Sequence, residues 1–174
     1  LPDRAGERHR RIDRDADGQR NRDLEQGGNV TDERALPAPA PVVSPHSEAF
    51  WKATAQECFL LGHCPGCDQW FWPPNRTFCP RCGNAASLRE ASGAGTIYSH
   101  TTVRVNGAVA LGGGPYQDAV PFVLAYVELA EGPTVMTNII GADPDDVAVG
   151  LPVRVEFSRT GGPEDPALPR FRLV

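Results

Sequence analysis

Two short cysteine knuckles constrain this chain more than any other feature. Cys64-Pro65-Gly66-Cys67 is the first and Cys79-Pro80-Arg81-Cys82 the second, with eleven residues between them. Each C-x-x-C pair can set two thiolates on one tetrahedral ion, and the short spacer lets a β-hairpin bring the pairs together. Gly66 and Gly83 offer the permissive backbone that a metal knuckle needs beside its sulfurs. The reading is a structural four-cysteine zinc site held by Cys64, Cys67, Cys79 and Cys82.

Other uses of these cysteines fit less well. Disulfides would suit a secreted chain, and nothing here reads as a secretory signal peptide. A redox C-x-x-C needs one pair at a helix N-terminus in a βαβ setting. Iron in a rubredoxin-type site also uses four thiolates, so the sequence does not by itself exclude it, but its two knuckles normally lie much further apart. A closed four-cysteine site leaves no position for a reactive water, so the metal holds structure, contributing on the order of 10 kcal/mol to folding a small module. Cys58, the fifth cysteine, lies in an apolar stretch and reads as a small core residue.

The formal charge of −5 argues against a nucleic-acid module, and thiolates around one divalent ion make the ribbon more negative still. No apolar run approaches the length of a membrane span. With thiolates kept for metal, the expectation is a soluble cytoplasmic protein. Residues 1–34 hold eight arginines and nine acids without an aromatic residue. That composition cannot bury a core, so 1–43 reads as a disordered tail that ends in the Pro/Ala linker Leu36 to Pro41.

Ser44-Pro45 resembles a helix start, with a capping hydroxyl and proline at the first helical position. Phe50, Trp51, Thr54, Cys58 and Leu61 recur at spacings of three and four, which predicts a helix over 46–60. The segments are then a helical region over 44–61, a zinc ribbon over 62–90 and a barrel over 91–174. The ribbon's tip, Gln69 to Pro74, is rich in aromatic residues. A hairpin this small has almost no core of its own, so Trp70, Phe71 and Trp72 must cover the metal, dock on the barrel or meet a partner.

Beyond Gly93 the pattern becomes one of strands. They are predicted at Thr96–Val105, Pro121–Leu129, Thr134–Ile140, Val153–Ser158 and Phe171–Val174, with tight turns at Glu131-Gly132 and Gly150-Leu151. A short helix fits Pro144–Val147, capped by Asp143. The fold class is therefore mainly β: a five-stranded OB-like barrel preceded by a short helix and a four-cysteine zinc ribbon, with a disordered N-terminal tail.

This order resembles the DUF35 family of OB-fold proteins with an N-terminal rubredoxin-like zinc ribbon. The matching residues are Phe50-Trp51, the two knuckles, Trp72-Pro73-Pro74, Gly93-x-Gly95-Thr96-Ile97-Tyr98-Ser99, Pro121 to Leu129, Gly132-Pro133 and Gly150-x-Pro152-Val153-x-Val155-x-Phe157. They cover about 46–174. The resemblance implies an accessory subunit, with structural zinc, that pairs with a thiolase-superfamily enzyme. That partner would be a thiolase or a lipid-transfer-protein-like aldolase, in a hetero-oligomer that can include a hydratase-type subunit. It also implies a role in shaping an acyl-CoA channel. The runs Pro133 to Ile140 and Asp143 to Asp146 look close to members that accompany steroid side-chain aldolases.

Candidate contacts with a partner are Phe50, Trp51, Trp70, Trp72 and Tyr116. Tyr116 belongs to the glycine-rich insertion Asn106 to Ala119. There Gly112-Gly113-Gly114 could approach a CoA phosphate, or simply form a flexible loop, and it lacks the Lys-Ser/Thr of a P-loop. No catalytic set stands out. His9 and His46 fall in the tail or at the helix start. His63 adjoins the first knuckle, where it could support the thiolates. His100, on a strand with Tyr98 and Thr102, reads as a satisfied structural residue. Cys58 has no neighbouring base. The isolated chain is expected to lack catalytic activity. A single-stranded nucleic-acid-binding module is the alternative, since ribbons and OB barrels both serve there. Against it, residues 35–174 carry nine Lys/Arg and thirteen Asp/Glu.

Overall fold

The computed structural model describes residues 36–104, 116 and 119–174. Residues 1–35 of the tail expected over 1–43, and the Gly112-Gly113-Gly114 run, lie outside the described residues. Among the described residues, one helix, α1 (Glu48–Ala55), is followed by eight strands: β1 (Leu60–Cys64), β2 (Gln69–Phe71), β3 (Ser87–Glu90), β4 (Ala94–Val103), β5 (Phe122–Leu129), β6 (Thr134–Ile140), β7 (Pro152–Arg159) and β8 (Ala167–Leu173). The first three form an antiparallel sheet in the order β2-β1-β3, and the last five close into a barrel in the order β4-β5-β6-β8-β7. Only the β6–β8 pairing in the barrel is parallel. This is the five-stranded OB arrangement, and closure removes the exposed sheet edges.

The helix is shorter than the apolar spacing suggested. Glu57 takes a left-handed φ of 59° just past its end. The amides of Gln56 and Cys58 both bond back to the Ala53 carbonyl, which stops the helical ladder. From Leu60 the chain is extended, so Cys58 and Leu61 leave the helical stripe. Capping also shifts. Ser47, not Ser44, occupies the N-cap, and Ser44 supplies the carbonyl for the turn before it. At the other end, Arg159 on β7 donates to the Ala55 carbonyl at 2.9 Å and pairs with Glu57 at 2.7 Å. A cation at a helix C-terminus meets both unpaired carbonyls and the negative dipole end.

Barrel and ribbon share one core. Along β5, Val123, Ala125, Val127 and Leu129 are buried while Tyr126 and Glu128 face outward. Ile97, Val135, Ile139, Val153 and Phe171 fill the barrel, and Phe50, Phe59 and Leu61 join the same cluster from the helix and ribbon. Each such side chain stabilises the fold by about 1.5–3 kcal/mol through loss of apolar contact with water. Thr54, fully buried, donates to the Trp51 carbonyl and accepts from the Ala167 amide, which pins α1 to the start of β8.

Three further expectations change. β3 was not read from sequence, yet it pairs with β1 from Leu60–Glu90 to His63–Ser87. The Asp143–Val147 stretch is a turn and not a helix: the Asp145 amide bonds to the Asp143 carboxylate, and the Asp146 amide to its carbonyl. Finally, the segment expected as a free linker lies against the barrel at its start. Arg170 is 3% exposed and donates to the carbonyls of Leu36 (2.8 Å) and Pro37. It also donates to Ser158 Oγ and Tyr116 OH.

Candidate metal centre

β1 runs directly into the first knuckle, and β2 leaves it as the antiparallel partner, with Cys64 opposite Gln69. The second knuckle is held by a bridge between Phe78 and Ala85 and by the Cys79 amide donating to the Asn84 carbonyl at 2.8 Å. The two loops are built alike. The residue after each second cysteine is left-handed: Asp68 at φ 55° and Gly83 at φ 73°. The freedom expected of Gly66 therefore belongs to Asp68. Gly66 is small for another reason, since a Cβ there would sit 2.5 Å from Asn84 Nδ2. Aspartate tolerates the left-handed region better than most residues. Here its carboxylate also bonds His63 Nε2 at 2.8 Å.

These loops bring the four predicted ligands together. Cys64 Sγ lies 3.6 Å from Cys82 Sγ, and Cys67 Sγ lies 3.6 Å from Cys79 Sγ. All four sulfurs fall within 4.8 Å of one another. Sulfurs about 2.3 Å from one tetrahedral ion are roughly 3.8 Å apart, so the set fits such an ion. A disulfide would need about 2.05 Å, and all five cysteines are free. The Arg81 amide donates to Cys79 Sγ at 3.4 Å. Crowding splits the thiols. Hydrogen bonding to Cys82, with burial, pushes Cys67 up to about 12. Burial works against ionising Cys79, yet the amides of Cys82 and Arg81 bring it down to about 7. A divalent cation relieves the same crowding by taking all four as thiolates.

His63 hydrogen-bonds beside the first knuckle, to Asp68 and not to a sulfur. Its ring is buried, bonds Asp68 and packs 4.7 Å from Trp70, over which Arg89 lies at 5.5 Å. The other ribbon aromatics turn inward. Phe71 is buried across from Gly62. Trp72 packs at 5.5 Å from Phe50 and 6.1 Å from Phe59. Phe59 in turn reaches Phe171 of the barrel at 6.1 Å. Phe50 is 5% exposed, which removes it from any surface a partner could touch. Trp51 and Trp70 are half-buried against the same core. Tyr116 lies 5.5 Å from Phe122, ring to ring, with its hydroxyl at Arg170.

Cys58 is half-buried and not a core residue, and burial followed by the charge of Glu90 pushes its thiol up. His100 departs from its reading in two ways. A bulge between Ile97 and Ser99 throws Tyr98 outward, so Tyr98 and His100 lie on opposite faces. His100 Nδ1 is buried without a hydrogen-bond partner among the described residues. Sequence reasoning missed Phe59, Asp68 and Arg170, and it read Thr54 only as part of the apolar stripe. Of these, only Asp68 had a readable signal: it stands after its knuckle where Gly83 stands after the other.

Comparison with known proteins agrees with this architecture. Residues 51–87 match the family model described as the ChsH2 rubredoxin-like zinc ribbon domain, and 88–158 match the ChsH2 C-terminal OB-fold domain. A DUF35 domain-containing scaffold protein of Methanothermobacter thermautotrophicus is 32% identical over 112 residues, which is 63% of this chain and 79% of that protein. A probable enoyl-CoA hydratase alpha subunit of Thermomonospora curvata is 32% identical over 138 residues, or 77% of this chain but 39% of that longer protein. A solved Ltp2-ChsH2(DUF35) aldolase structure contains a chain with 28% identity and a TM-score of 0.64, covering 76% of this chain and 98% of that one. Among the described residues no helix is long and apolar enough to cross a membrane.

Proposed function

We infer that this chain, which belongs to the ChsH2 (DUF35) family of zinc-ribbon and OB-fold proteins, is a non-catalytic scaffold subunit of an acyl-CoA-processing enzyme. The observation that carries the reading is the fold-wide likeness, over 98% of its length, to the DUF35 chain of an aldolase structure. In this proposal Cys64, Cys67, Cys79 and Cys82 hold structural zinc. The ion closes the ribbon so that β1 and Phe59 can pack on the barrel, and it takes no part in the chemistry. The partner is a thiolase-superfamily enzyme, specifically a lipid-transfer-protein-like aldolase. The substrate class is an acyl-CoA, with a steroid side-chain ester as the narrower reading. A hydratase-type subunit is a second assembly partner, supported by the likeness to a hydratase alpha subunit. Trp51 and Trp70, which keep part of their surface outside, supply secondary contacts.

Co-expression with candidate thiolase-superfamily aldolases encoded near this chain tests the reading. Co-elution on size exclusion is expected, with aldolase activity or solubility lost when this chain is omitted. A chain that elutes alone beside fully active aldolase would refute it. Acyl-CoA turnover by this chain alone would refute its non-catalytic character. The nucleic-acid alternative has the barrel type in its favour and the charge against it. Salt-sensitive binding of an oligonucleotide at physiological ionic strength would restore it.

A further inference from the structure

The segment Leu36-Pro37-Ala38-Pro39-Ala40-Pro41 places proline at every second position. Proline fixes its own φ and pushes the residue before it toward extended geometry, so the whole run is biased to a polyproline II strand. Such a strand makes no hydrogen bonds to itself and turns its carbonyls outward. Its three prolines have no N–H to give, so a surface that binds it must supply donors.

The barrel supplies them at one residue. Phe171 fills the barrel interior, so Arg170 beside it on β8 points outward. It is buried nonetheless, because the segment lies over it. Arg170 Nη1 donates to the Leu36 carbonyl at 2.8 Å and to Ser158 Oγ at 3.2 Å. Nη2 donates to the Pro37 carbonyl and, at 3.3 Å, to the Tyr116 hydroxyl. The two arms of one planar fork thus take two successive carbonyls. All four acceptors are neutral, and among the described residues no carboxylate pairs with this guanidinium. Glu156, opposite it across β7 and β8, is given to Arg172. A buried cation without a counter-ion is stable only where hydrogen bonds satisfy it, and the segment provides two of the four.

These bonds read main chain and not side chains. Beyond them Pro39, Ala40, Val42 and Val43 are exposed up to the start of α1. The segment is therefore fixed at Leu36 and Pro37 and at the helix, with a span in solvent between.

We propose that Arg170, Ser158 and Tyr116 form a receptor for an extended, proline-containing main chain. Residues 36–41 are its built-in ligand, a strap latched through its carbonyls that opens and closes on the outside of β8. Tyr116 shares the latch, so opening of the strap also alters the environment of that ring.

The test uses the full chain labelled with 3-fluorotyrosine and read by fluorine NMR. The chain has three tyrosines, and Tyr116→Phe assigns the relevant signal. Tyr98 and Tyr126 are exposed and serve as internal references. Arg170→Met should move the Tyr116 signal and leave the other two in place. Replacing Pro37, Pro39 and Pro41 together with glycine removes the pre-set geometry and should move it in the same direction, with the barrel's melting temperature unchanged. A capped peptide of residues 36–43, added to that variant, should restore the wild-type signal with a Kd on the order of 1 mM, the scale of the effective concentration it replaces. The same peptide with glycine for proline should bind at least tenfold more weakly, and Arg170→Lys, which keeps charge without the fork, should abolish restoration. A Tyr116 signal unmoved by Arg170→Met, or by the glycine replacements, would overturn the proposal. So would a peptide that fails to restore the signal. Restoration by acetate or inorganic phosphate at the same concentration would make this an anion site instead. A wild-type signal that depends on protein concentration would show a strap exchanged between copies and would overturn its assignment to the same chain.

Discussion

Phe59 carries the mechanical link between ribbon and barrel, and its removal should separate the two. The ring is 3% exposed and touches Phe50, Trp72 and Phe171 at centroid distances of 6.4, 6.1 and 6.1 Å. These neighbours come from α1, the ribbon and β8, so the cavity left by Phe59→Ala lies where all three meet. A buried Phe→Ala change costs about 3–5 kcal/mol. Much of a typical domain's stability of about 5–15 kcal/mol is thereby lost. At about 3–5 °C per kcal/mol for a unit of this size, melting should fall by roughly 10–20 °C. The chain's three tryptophans, Trp51, Trp70 and Trp72, all sit on α1 or the ribbon. Tryptophan emission therefore reports the junction, while far-ultraviolet circular dichroism is dominated by the barrel. In the wild type the two melts should coincide, because the core is shared. In Phe59→Ala the emission transition should move further down than the dichroism transition, with metal content unchanged. Phe59→Leu, which keeps most of the volume, should cost less than about 1.5 kcal/mol. Coincident melts lowered by under about 3 °C would show that the aromatic junction does not couple the parts.

Chelation should collapse the ribbon, since metal binding of this type supplies on the order of 10 kcal/mol; tryptophan emission unchanged after metal release would contradict a structural role. Protons compete for the thiolates, so metal release should grow as pH falls, and a dye assay that finds retention independent of pH would count against the four-thiolate assignment. At Gly62, opposite Phe71 on β2, a Cβ would run into the Phe71 ring, so Gly62→Ala should destabilise by about 1–3 kcal/mol; an unchanged urea midpoint would show that the ring yields freely. Arg170→Met should release the segment at Leu36 and Pro37, speeding thermolysin cleavage near Val42 and Val43 about tenfold, and an unchanged rate would mean that the clamp is incidental. Hydrogen bonding from Arg172 holds the Glu156 carboxyl below its ordinary range, so its contribution is present above the unfolded carboxyl pKa and lost as pH falls through the folded one. With both partners near half exposed, Glu156→Gln should cost under about 1 kcal/mol at pH 7, and a gap from wild type that persisted at pH 2 would rule out this origin.

What could be read from the sequence was whatever rests on local pattern. β7 was legible because Val153 and Val155 alternate with Arg154 and Glu156, and β6 matched its reading end to end. The metal ligands were legible because two C-x-x-C pairs at this spacing mark four sulfurs for one ion, and the fold brings those four together. Misreadings arose where a second force overrode the pattern. Cys58 and Leu61 keep helical spacing from Thr54, but the left-handed turn at Glu57 converts the same spacing into a connector and a strand. β3, Ser87 to Glu90, is extended because β1 offers it an edge, and its own four residues carry only one apolar side chain. The bulge at Tyr98 decides whether that ring faces the barrel interior or solvent, and a one-residue irregularity leaves no compositional mark. Arg170 was out of reach for another reason. Its partners are Leu36, Pro37, Tyr116 and Ser158, up to 134 residues away along the chain.

That clamp and the aromatic junction bear on where recognition can occur. The richest aromatic stretch of the chain suggests a binding surface when met as sequence, because a small hairpin has no core to absorb it. The fold absorbs it nonetheless: Phe71 covers Gly62, Trp72 meets Phe50 and Phe59, and Trp70 covers His63. Tyr116 is likewise committed to Arg170 and Phe122. Side chains already buried inside the chain cannot release much further apolar area to a partner without first giving up what they stabilise. Among the described residues, Tyr98, Tyr126 and Met136 stay exposed and make no such ring contact.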